Sequence, residues 1–259
     1  MIIDVNAYLG HFAFRRLRHN NAAGLLALMD RARIDRAVVS SASSITYRNP
    51  QAGNEEVAAE IRPHGDRLTG FAVLNPLYAG WRDDLKICRE QFGMRGLRLY
   101  PRWHNYRLTD SACLEMVHTA ASLGLVISIP LRVEDRRQGT WLVDIPDVDQ
   151  EEIASLIRAC PDARFILING LGYLASSLGR KQNGLPSNYV LDISLLTVEL
   201  TNEMGRLIEN LGPERVVFGT GIPFHYPGPA FAKMEILQAD EAVKDRIRWR
   251  TAASLLQQE

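Results

Sequence analysis

The chain has 259 residues, and 46% of them are hydrophobic, so its length and composition suit one large domain or two small ones around a sizeable core. Its 30 basic and 30 acidic residues cancel, which excludes a strong general attraction to nucleic acid or to an anionic membrane. Three scattered cysteines without a CxxC motif, no signal-peptide pattern and no apolar run of membrane-spanning length together predict a cytoplasmic protein with reduced thiols.

Short apolar, β-rich runs alternate with helical patterns from one end of the chain to the other. The predicted strands are Ile2–Tyr8, Arg36–Ser40, Leu68–Leu74, Gly96–Tyr100, Leu125–Leu131, Arg164–Ile168, Tyr189–Ile193 and Arg215–Gly219. The predicted helices lie near Ala22–Ala32, Asn54–Arg62, Trp81–Phe92, Ser111–Leu123, Glu151–Ala159, from Gly172, Glu199–Asn210 and Pro229–Ala239. Strands that are apolar on both faces and joined by helices indicate a parallel sheet, and eight such units predict an α/β protein with a (β/α)8 TIM barrel.

A doubly wound open sheet is the alternative fold. That fold usually carries a glycine-rich phosphate turn after its first strand, whereas Leu9-Gly10-His11 stands here, so the barrel is favoured. No linker or repeat divides the chain, and we expect one barrel domain over residues 1–259 that ends in a helix at Ala242–Leu256. The irregular stretches Arg132–Val148 and Lys181–Asn188 are candidate lids, with plain surface connections as the equal alternative.

Alternation along the strands predicts which side chains face the inside of the barrel. In the first strand we expect Asp4, Asn6 and Tyr8 to point inward and Ile3 and Val5 to pack outward against helices. The same reasoning gives a mouth lined by polar side chains, namely Asn6, Tyr8, Arg98, Tyr100, Arg132, Asn169, Asp192 and Ser194.

A buried arginine in such a mouth needs a partner. Arg98 has two interpretations: Asp4 or Asp192 neutralises it in a structural network, or it binds an anionic ligand, since a guanidinium matches a carboxylate. Arg132 carries the same two interpretations because acidic residues follow it directly.

Several segments resemble the amidohydrolase superfamily, in particular the amidohydrolase 2 branch with its decarboxylases and lactonases. The first strand resembles the family's Asp-x-His-x-His opening, and later segments resemble its Gly-x-Arg/Lys-Leu-Tyr-Pro, His-x-Gly and Gly-Ser/Thr-Asp-x-Pro motifs. The segments that carry this resemblance are Met1–Gly10, Arg67–Pro76, Met94–Pro101, Arg164–Gly172, Val217–Pro223 and Arg250–Leu256. The resemblance covers the whole chain and implies the same barrel.

The resemblance also implies a divalent metal, held by three histidines and an aspartate that moves protons. At the corresponding positions this chain has Asn6, Tyr8, Asn169 and Gly221, which are weak ligands or none. We therefore expect no metal and no other cofactor. A relocated site built from His11, His104 and His225 is the alternative.

Two functions remain open at this point. The first is a metal-independent hydrolase, similar to a lactonase, or a lyase that acts on a small carboxylate-bearing substrate. Its proton-transfer candidates are Tyr8, Tyr100, His104 and Asp192, and its substrate-binding candidates are Asn6, Arg98, Arg132, Asn169 and Ser194. The second is a non-catalytic barrel that binds a small anionic ligand or a partner protein. The oligomeric state stays open, a homo-oligomer included.

Overall fold

The computed structural model describes residues 1–135, 137, 139, 141–182 and 184–257. Eight parallel strands follow one another in chain order within a single sheet. They are β1 Ile3–Leu9, β2 Arg36–Ser41, β3 Leu68–Val73, β4 Gly96–Arg98, β5 Val126–Pro130, β6 Phe165–Ile168, β7 Tyr189–Asp192 and β8 Val216–Val217.

Backbone hydrogen bonds join the two ends of this sheet. Val5 N donates to Phe218 O over 3.0 Å, Gly221 N donates to Asn6 O over 2.8 Å, and Tyr8 N donates to Ile222 O over 2.9 Å. The bonds connect β1 to the segment that continues β8, so the sheet curls into a barrel. The predicted (β/α)8 TIM-barrel fold is confirmed.

Helices follow most of the strands, and the last three of the described α-helices come after β8. They are α1 Ala22–Ala32, α2 Pro50–Ile61, α3 Trp81–Glu90, α4 Ser111–Ser122, α5 Gln150–Ala159, α6 Glu203–Leu211, α7 Gly228–Ile236, α8 Glu241–Asp245 and α9 Thr251–Leu256. Side chains cap several of them; the Asn21 carbonyl oxygen accepts from Gly24 N at the start of α1, and Asp149 accepts from Glu151 N at the start of α5. Between β6 and β7 the described residues form two short 3-10 turns, Tyr173–Ala175 and Ser177–Gly179.

The lower half of the barrel interior is an apolar cluster, to which strands contribute alternate residues. Its members are Ile3, Val5, Val38, Phe71, Val126, Ile166, Ile168, Val190 and Val217, with Ala252, Ala253 and Leu256 of α9. The C-terminal helix therefore packs on the end of the barrel where the strands begin. Polar side chains are left for the opposite end, where the strands of this fold place their functional loops.

The predicted alternation is wrong for the start of β1. Its register against β2 shifts between Asp4 and Ala7, which is the mark of a bulge. Ile3 and Val5 consequently belong to the interior cluster, and the carboxylate of Asp4 accepts hydrogen bonds from Thr220 N and Thr220 Oγ1. After the bulge, the side chains of Asn6 and Tyr8 reach inner-face residues, as expected.

Candidate functional site

Four residues from three strand ends form one hydrogen-bonded network at the mouth. The amide nitrogen of Asn6 donates to Asn169 Oδ1 over 2.7 Å and to Asp192 Oδ2 over 2.8 Å. The backbone N of Asn169 donates to Asp192 Oδ1 over 3.1 Å, and its amide donates to Tyr8 Oη over 3.1 Å. Asn6, Tyr8, Asn169 and Asp192 all have 0% exposed surface, so solvent does not reach this network.

Ser194 completes the network at its edge. Its hydroxyl donates to Asp192 Oδ1 over 2.9 Å and lies 3.2 Å from Asn169 Oδ1. Burial raises the pKa of Asp192 to about 6, although hydrogen bonds from Asn6 and Ser194 oppose the shift. Burial likewise lowers the pKa of Lys233 to about 8, and its ammonium donates to the carbonyl oxygens of Ile193 and Ser194.

Arg98 lies inside the barrel and is fully buried. Its guanidinium donates to Val5 O and Ala7 O, each over 3.2 Å, to Ser40 Oγ over 2.9 Å and to Ser128 Oγ over 3.3 Å. Neither Asp4 nor Asp192 forms an ion pair with it among the described residues, so the proposed carboxylate neutralisation is wrong. Backbone carbonyls and hydroxyls satisfy this cation instead, and its ligand-binding role stays a prediction.

Aromatic side chains cover the network from the solvent side. The ring of Tyr8 packs edge-on against Phe224 with centroids 4.9 Å apart, and Phe12 lies 5.0 Å from Phe224. Phe12 also contacts Phe14 and Trp103, at 5.6 and 5.8 Å. We call these five rings the aromatic partition. It joins the loop after β1, the segment after β8 and the loop after β4 across the centre of the mouth.

Gly221 stands where the resemblance implies an aspartate. Its φ is +77°, and a Cβ added to it would lie 2.5 Å from Cδ2 of His225 and 3.4 Å from Asn169 Oδ1. The ring of His225 thus occupies the space that a side chain at position 221 would need. Burial lowers the pKa of His225, with Arg15 adding to the shift.

The residues present at this place do not fit the divalent metal that the family's pattern implies. The side-chain nitrogen of Asn6 donates both of its described hydrogen bonds, and that of Asn169 donates to Tyr8 Oη and to Arg132 O. Burial raises the pKa of Tyr8, so its hydroxyl stays neutral, and Gly221 has no side chain. The oxygens of this set are neutral, and Asn6 Oδ1 is the one among them without a described hydrogen-bond partner, whereas a divalent cation of this kind is held by several imidazole or carboxylate ligands directed at one point.

The histidines do not supply a substitute. His11 is exposed and lies 3.2 Å from the amide of Asn20, whereas His104 is buried and its Nε2 lies 3.0 Å from Ser44 O. Across the described residues, no group of three or more His, Cys, Asp or Glu side chains is placed to hold a metal ion. The relocated site of His11, His104 and His225 is therefore not formed.

An open cleft of about 500 Å³ lies beside the aromatic partition, at the C-terminal ends of β4 and β5. We call it the β4–β5 cleft. Its walls include Tyr100, Arg102, Trp103, Arg132, Glu134 and Trp141. Of the predicted site residues, Tyr100 and Arg132 line it, while Asn6, Tyr8, Arg98, His104, Asn169, Asp192 and Ser194 do not. Arg136, Gln138 and Thr140 of the first candidate lid, and Asn183 of the second, lie outside the described residues.

Two arginines of this cleft have the same arrangement. Arg132 donates to Asp147, and Arg102 donates to Glu152 over 3.1 Å. The Nε groups of both arginines are buried, and neither has a hydrogen-bond partner among the described residues. Each side chain is thus held by a carboxylate, while its Nε–H group has no described hydrogen-bond partner. An arginine that is held in place and keeps an unused N–H donor is suited to bind an anion.

Sequence reasoning missed Arg102 and Glu134 as residues of this site. Glu134 pairs with Arg15 over 3.2 Å, and burial raises the pKa of its carboxyl. The only signal in the sequence is that both residues follow strand ends, where this fold places functional loops. The run of charges around Arg132 pointed equally to local salt bridges.

A family model described as amidohydrolase matches residues 4–258. The chain belongs to the amidohydrolase family. No curated protein gives a significant match to the chain.

Solved structures of low sequence identity share the fold. The 5-carboxyvanillate decarboxylase of Sphingomonas paucimobilis is 16% identical, with a TM-score of 0.73 over 99% of this chain and 98% of the other. A dihydroxybenzoic acid decarboxylase of Polaromonas, solved with manganese and the inhibitor 2-nitroresorcinol, is 17% identical, with a TM-score of 0.72 over 99% and 96%. The 2,6-dihydroxybenzoate decarboxylase of Rhizobium is 18% identical, with a TM-score of 0.68 over 90% and 87%.

Within the described residues, no helix is both long enough and apolar enough to cross a membrane.

Proposed function

We propose that this amidohydrolase-family protein binds a small aromatic carboxylate in the β4–β5 cleft and does so without a metal. The observation that carries the proposal is the pair of buried, unsatisfied Nε–H groups of Arg102 and Arg132, two residues that line a cleft with aromatic and aliphatic walls. A ligand carboxylate accepts hydrogen bonds of this kind with added strength from its charge.

The remaining walls suit the ring of such a ligand. Trp103 and Trp141 line the same cleft as the two arginines, together with apolar residues such as Val148. A cleft of about 500 Å³ lies within the usual range for small-molecule sites, which combine mostly apolar walls with a few polar groups. The hydroxybenzoate decarboxylases of similar fold act on compounds of this class, which supports the choice.

Metal independence rests on the donor chemistry of the buried network. The side-chain amide of Asn6 donates to Asn169 Oδ1 and to Asp192, and that of Asn169 donates to Tyr8 Oη, so the positions that serve a cation in the family's pattern serve this network instead. Binding in the β4–β5 cleft is therefore expected to be unchanged by a chelator or by added Zn²⁺ or Mn²⁺.

The test uses the two tryptophans of the cleft as reporters. Titration with 2,6-dihydroxybenzoate or 4-hydroxybenzoate should change the intrinsic fluorescence, and Arg132→Gln should weaken binding roughly tenfold, the effect of losing one charge-assisted bond. Arg82→Gln is the matched control because Arg82 also pairs with a carboxylate, Glu115, but on the outer helices. Equal affinity in both variants, or saturation that depends on added metal, would refute the proposal.

Turnover of the bound compound is the second candidate function, as a metal-independent lyase or hydrolase. The observation that favours it is Glu134, whose carboxyl lines the same cleft with a pKa that burial raises. In a decarboxylation, a carboxylic acid can protonate the ring carbon while the bond to the carboxylate breaks and CO2 leaves. Tyr100 is the one predicted proton-transfer residue that lines this cleft.

Catalysis is tested separately from binding. Wild-type protein, Glu134→Gln and Tyr100→Phe should be assayed for CO2 release from hydroxybenzoates and for opening of small lactones. Product formation that Glu134→Gln abolishes, with fluorescence titration unchanged, would support the enzyme. Binding without product in any of the three proteins would leave the chain a binding barrel.

A further inference from the structure

We infer that a second cleft, on the other side of the aromatic partition, binds a small phosphate-bearing molecule with an apolar body. The loop after β1, the last turn of α1 and the segment after β8 form this cleft, whose volume is about 960 Å³. We call it the arginine cleft. Its arginine and histidine residues are Arg15, Arg16, Arg18, Arg31, His19 and His225.

The charge of this cleft is one-sided. Its described lining residues include four arginines and no carboxylate, in a chain whose acidic and basic residues balance. Arg15 is paired with Glu134. For Arg16, Arg18 and Arg31, by contrast, no carboxylate lies within 4.0 Å anywhere in the described ranges. Arginines that remain unneutralised in a concave surface concentrate positive potential there and attract anions.

The loop after β1, which carries Arg15, Arg16 and Arg18, is held in place by its own contacts. Gly10 N donates to Asn20 O over 2.6 Å and closes the base of the loop. Arg15 donates from Nη2 to Phe224 O over 2.7 Å and thereby ties the loop to the segment after β8. The Nη2 of Arg31 lies 3.5 Å from His19 Nε2. A ligand therefore meets a loop that is already ordered, which reduces the entropic cost of binding.

An unsatisfied group at the wall of the cleft is the second observation. Nε2 of His225 is buried, and it has no hydrogen-bond partner among the described residues. The imidazole lines the arginine cleft beside Phe224 and Thr220. A buried polar atom without a partner calls for a ligand group or water, and an oxygen of a bound anion meets this need.

Phosphate fits these groups better than a carboxylate does. Three guanidinium groups and an imidazole offer more donors than the two oxygens of a carboxylate accept, and a phosphate ester presents three oxygens. Leu17, Leu28, Phe224 and the exposed ring of Tyr226 provide apolar surface in the same cleft. The ligand class is therefore a phosphate or diphosphate ester with an apolar or aromatic body.

The two clefts are separate sites. Phe224 lines the arginine cleft and Trp103 lines the β4–β5 cleft, with Phe12 between them in the aromatic partition. The Arg15–Glu134 ion pair crosses at the same place. This inference therefore does not depend on the proposed binding of an aromatic carboxylate.

Calorimetric titration with ADP, in the absence of divalent metal, tests the inference. We expect ADP to bind and adenosine, which lacks the phosphates, not to bind. In the variant Arg16→Gln/Arg18→Gln/Arg31→Gln the affinity for ADP should fall at least tenfold, and raised salt should weaken binding to the wild type.

A charge-matched variant serves as the control. Arg62, Arg95 and Arg158 are also exposed, and they lie outside the arginine cleft, so Arg62→Gln/Arg95→Gln/Arg158→Gln should bind ADP as the wild type does. Both variants should keep the far-UV circular dichroism of the wild type. The inference is overturned if ADP does not bind at millimolar concentration, if adenosine binds equally well, or if the two variants lose affinity to the same extent.

Discussion

Replacing Gly221 by alanine should destabilise the protein through a conflict with the ring of His225. The added Cβ would lie 2.5 Å from Cδ2 of His225, closer than two carbon atoms approach without displacement. The residue also has a φ of +77°, a conformation that alanine adopts only with strain. Two costs therefore arise at one position, and the structure offers a way to separate them.

The backbone cost is measured at Gly124, whose φ is +74° and whose added Cβ would meet nothing within 4 Å. Gly124→Ala should lower the free energy of unfolding by about 1–2 kcal/mol, from the left-handed backbone alone. Gly221→Ala should cost that amount plus about 1–3 kcal/mol for overpacking, which gives about 2–5 kcal/mol in total. Urea denaturation followed by circular dichroism measures both values.

Removing the histidine ring should remove only the second cost. In a His225→Ala background, we expect Gly221→Ala to lower the free energy of unfolding only by the backbone cost. That loss should be no larger than the loss that Gly124→Ala causes in the wild type. The difference is a coupling energy between positions 221 and 225. If Gly221→Ala costs the same with and without the ring, then His225 does not fill the space of the missing aspartate side chain, and the reasoning fails.

Two further predictions concern the buried charges. Burial raises the pKa of Asp4 to about 7 and that of Asp192 to about 6, so carboxyl NMR titration should give midpoints near these values, and midpoints near 4 would contradict the burial argument. The native state then binds these protons more tightly than the unfolded chain does. The two groups therefore make their full contribution to the free energy of unfolding below about pH 4, and this contribution is lost as the pH rises through 6 and 7. Arg98→Met should lower the free energy of unfolding by about 2–5 kcal/mol, because it leaves the buried carbonyl oxygens of Val5 and Ala7 without their hydrogen-bond donor. Urea denaturation measures this loss. Unchanged stability together with weaker binding of hydroxybenzoate would instead assign Arg98 to the ligand.

The barrel could be predicted from the sequence because its pattern is local and repeated. Apolar strands and amphipathic helices alternate along the chain, and α1 begins and ends where its pattern predicts, at Ala22 and Ala32. The inner-face assignment of Asn6, Tyr8 and Asp192 also follows from alternation. The assignment was wrong for Ile3 and Val5 because a bulge between Asp4 and Ala7 changes the register. The residues of the strand give no sign of the additional residue that a bulge inserts.

The closure of the mouth could not be predicted in the same way. Phe12 and Phe224 are separated by most of the chain and lie in loops whose conformation has no period, so their contact at 5.0 Å depends on tertiary packing. Arg102 and Arg132 lie in different loops, and only the folded chain shows that both residues line one cleft and that their Nε groups have no described hydrogen-bond partner. The residue types at positions 6, 8, 169 and 221 predict that no metal is held there, but they do not predict the hydrogen bonds that Asn6, Tyr8 and Asn169 form with one another.

The hydrogen bonds among Asn6, Tyr8, Asn169 and Asp192 have a physical explanation. A metal site needs several acceptors directed at one point, and if one of them is lost, the others remain buried close together without the charge that held them. In this chain the amides of Asn6 and Asn169 donate to Asp192 and to Tyr8, so three strand ends are joined by hydrogen bonds instead of by a cation. The aromatic partition lies directly against this network, because Tyr8 belongs to both, and Asn6 Oδ1 is left without a hydrogen-bond partner in the described part of the chain. The two clefts in which we propose binding lie on either side of this partition, one lined by Arg102 and Arg132 and the other by Arg16, Arg18 and Arg31.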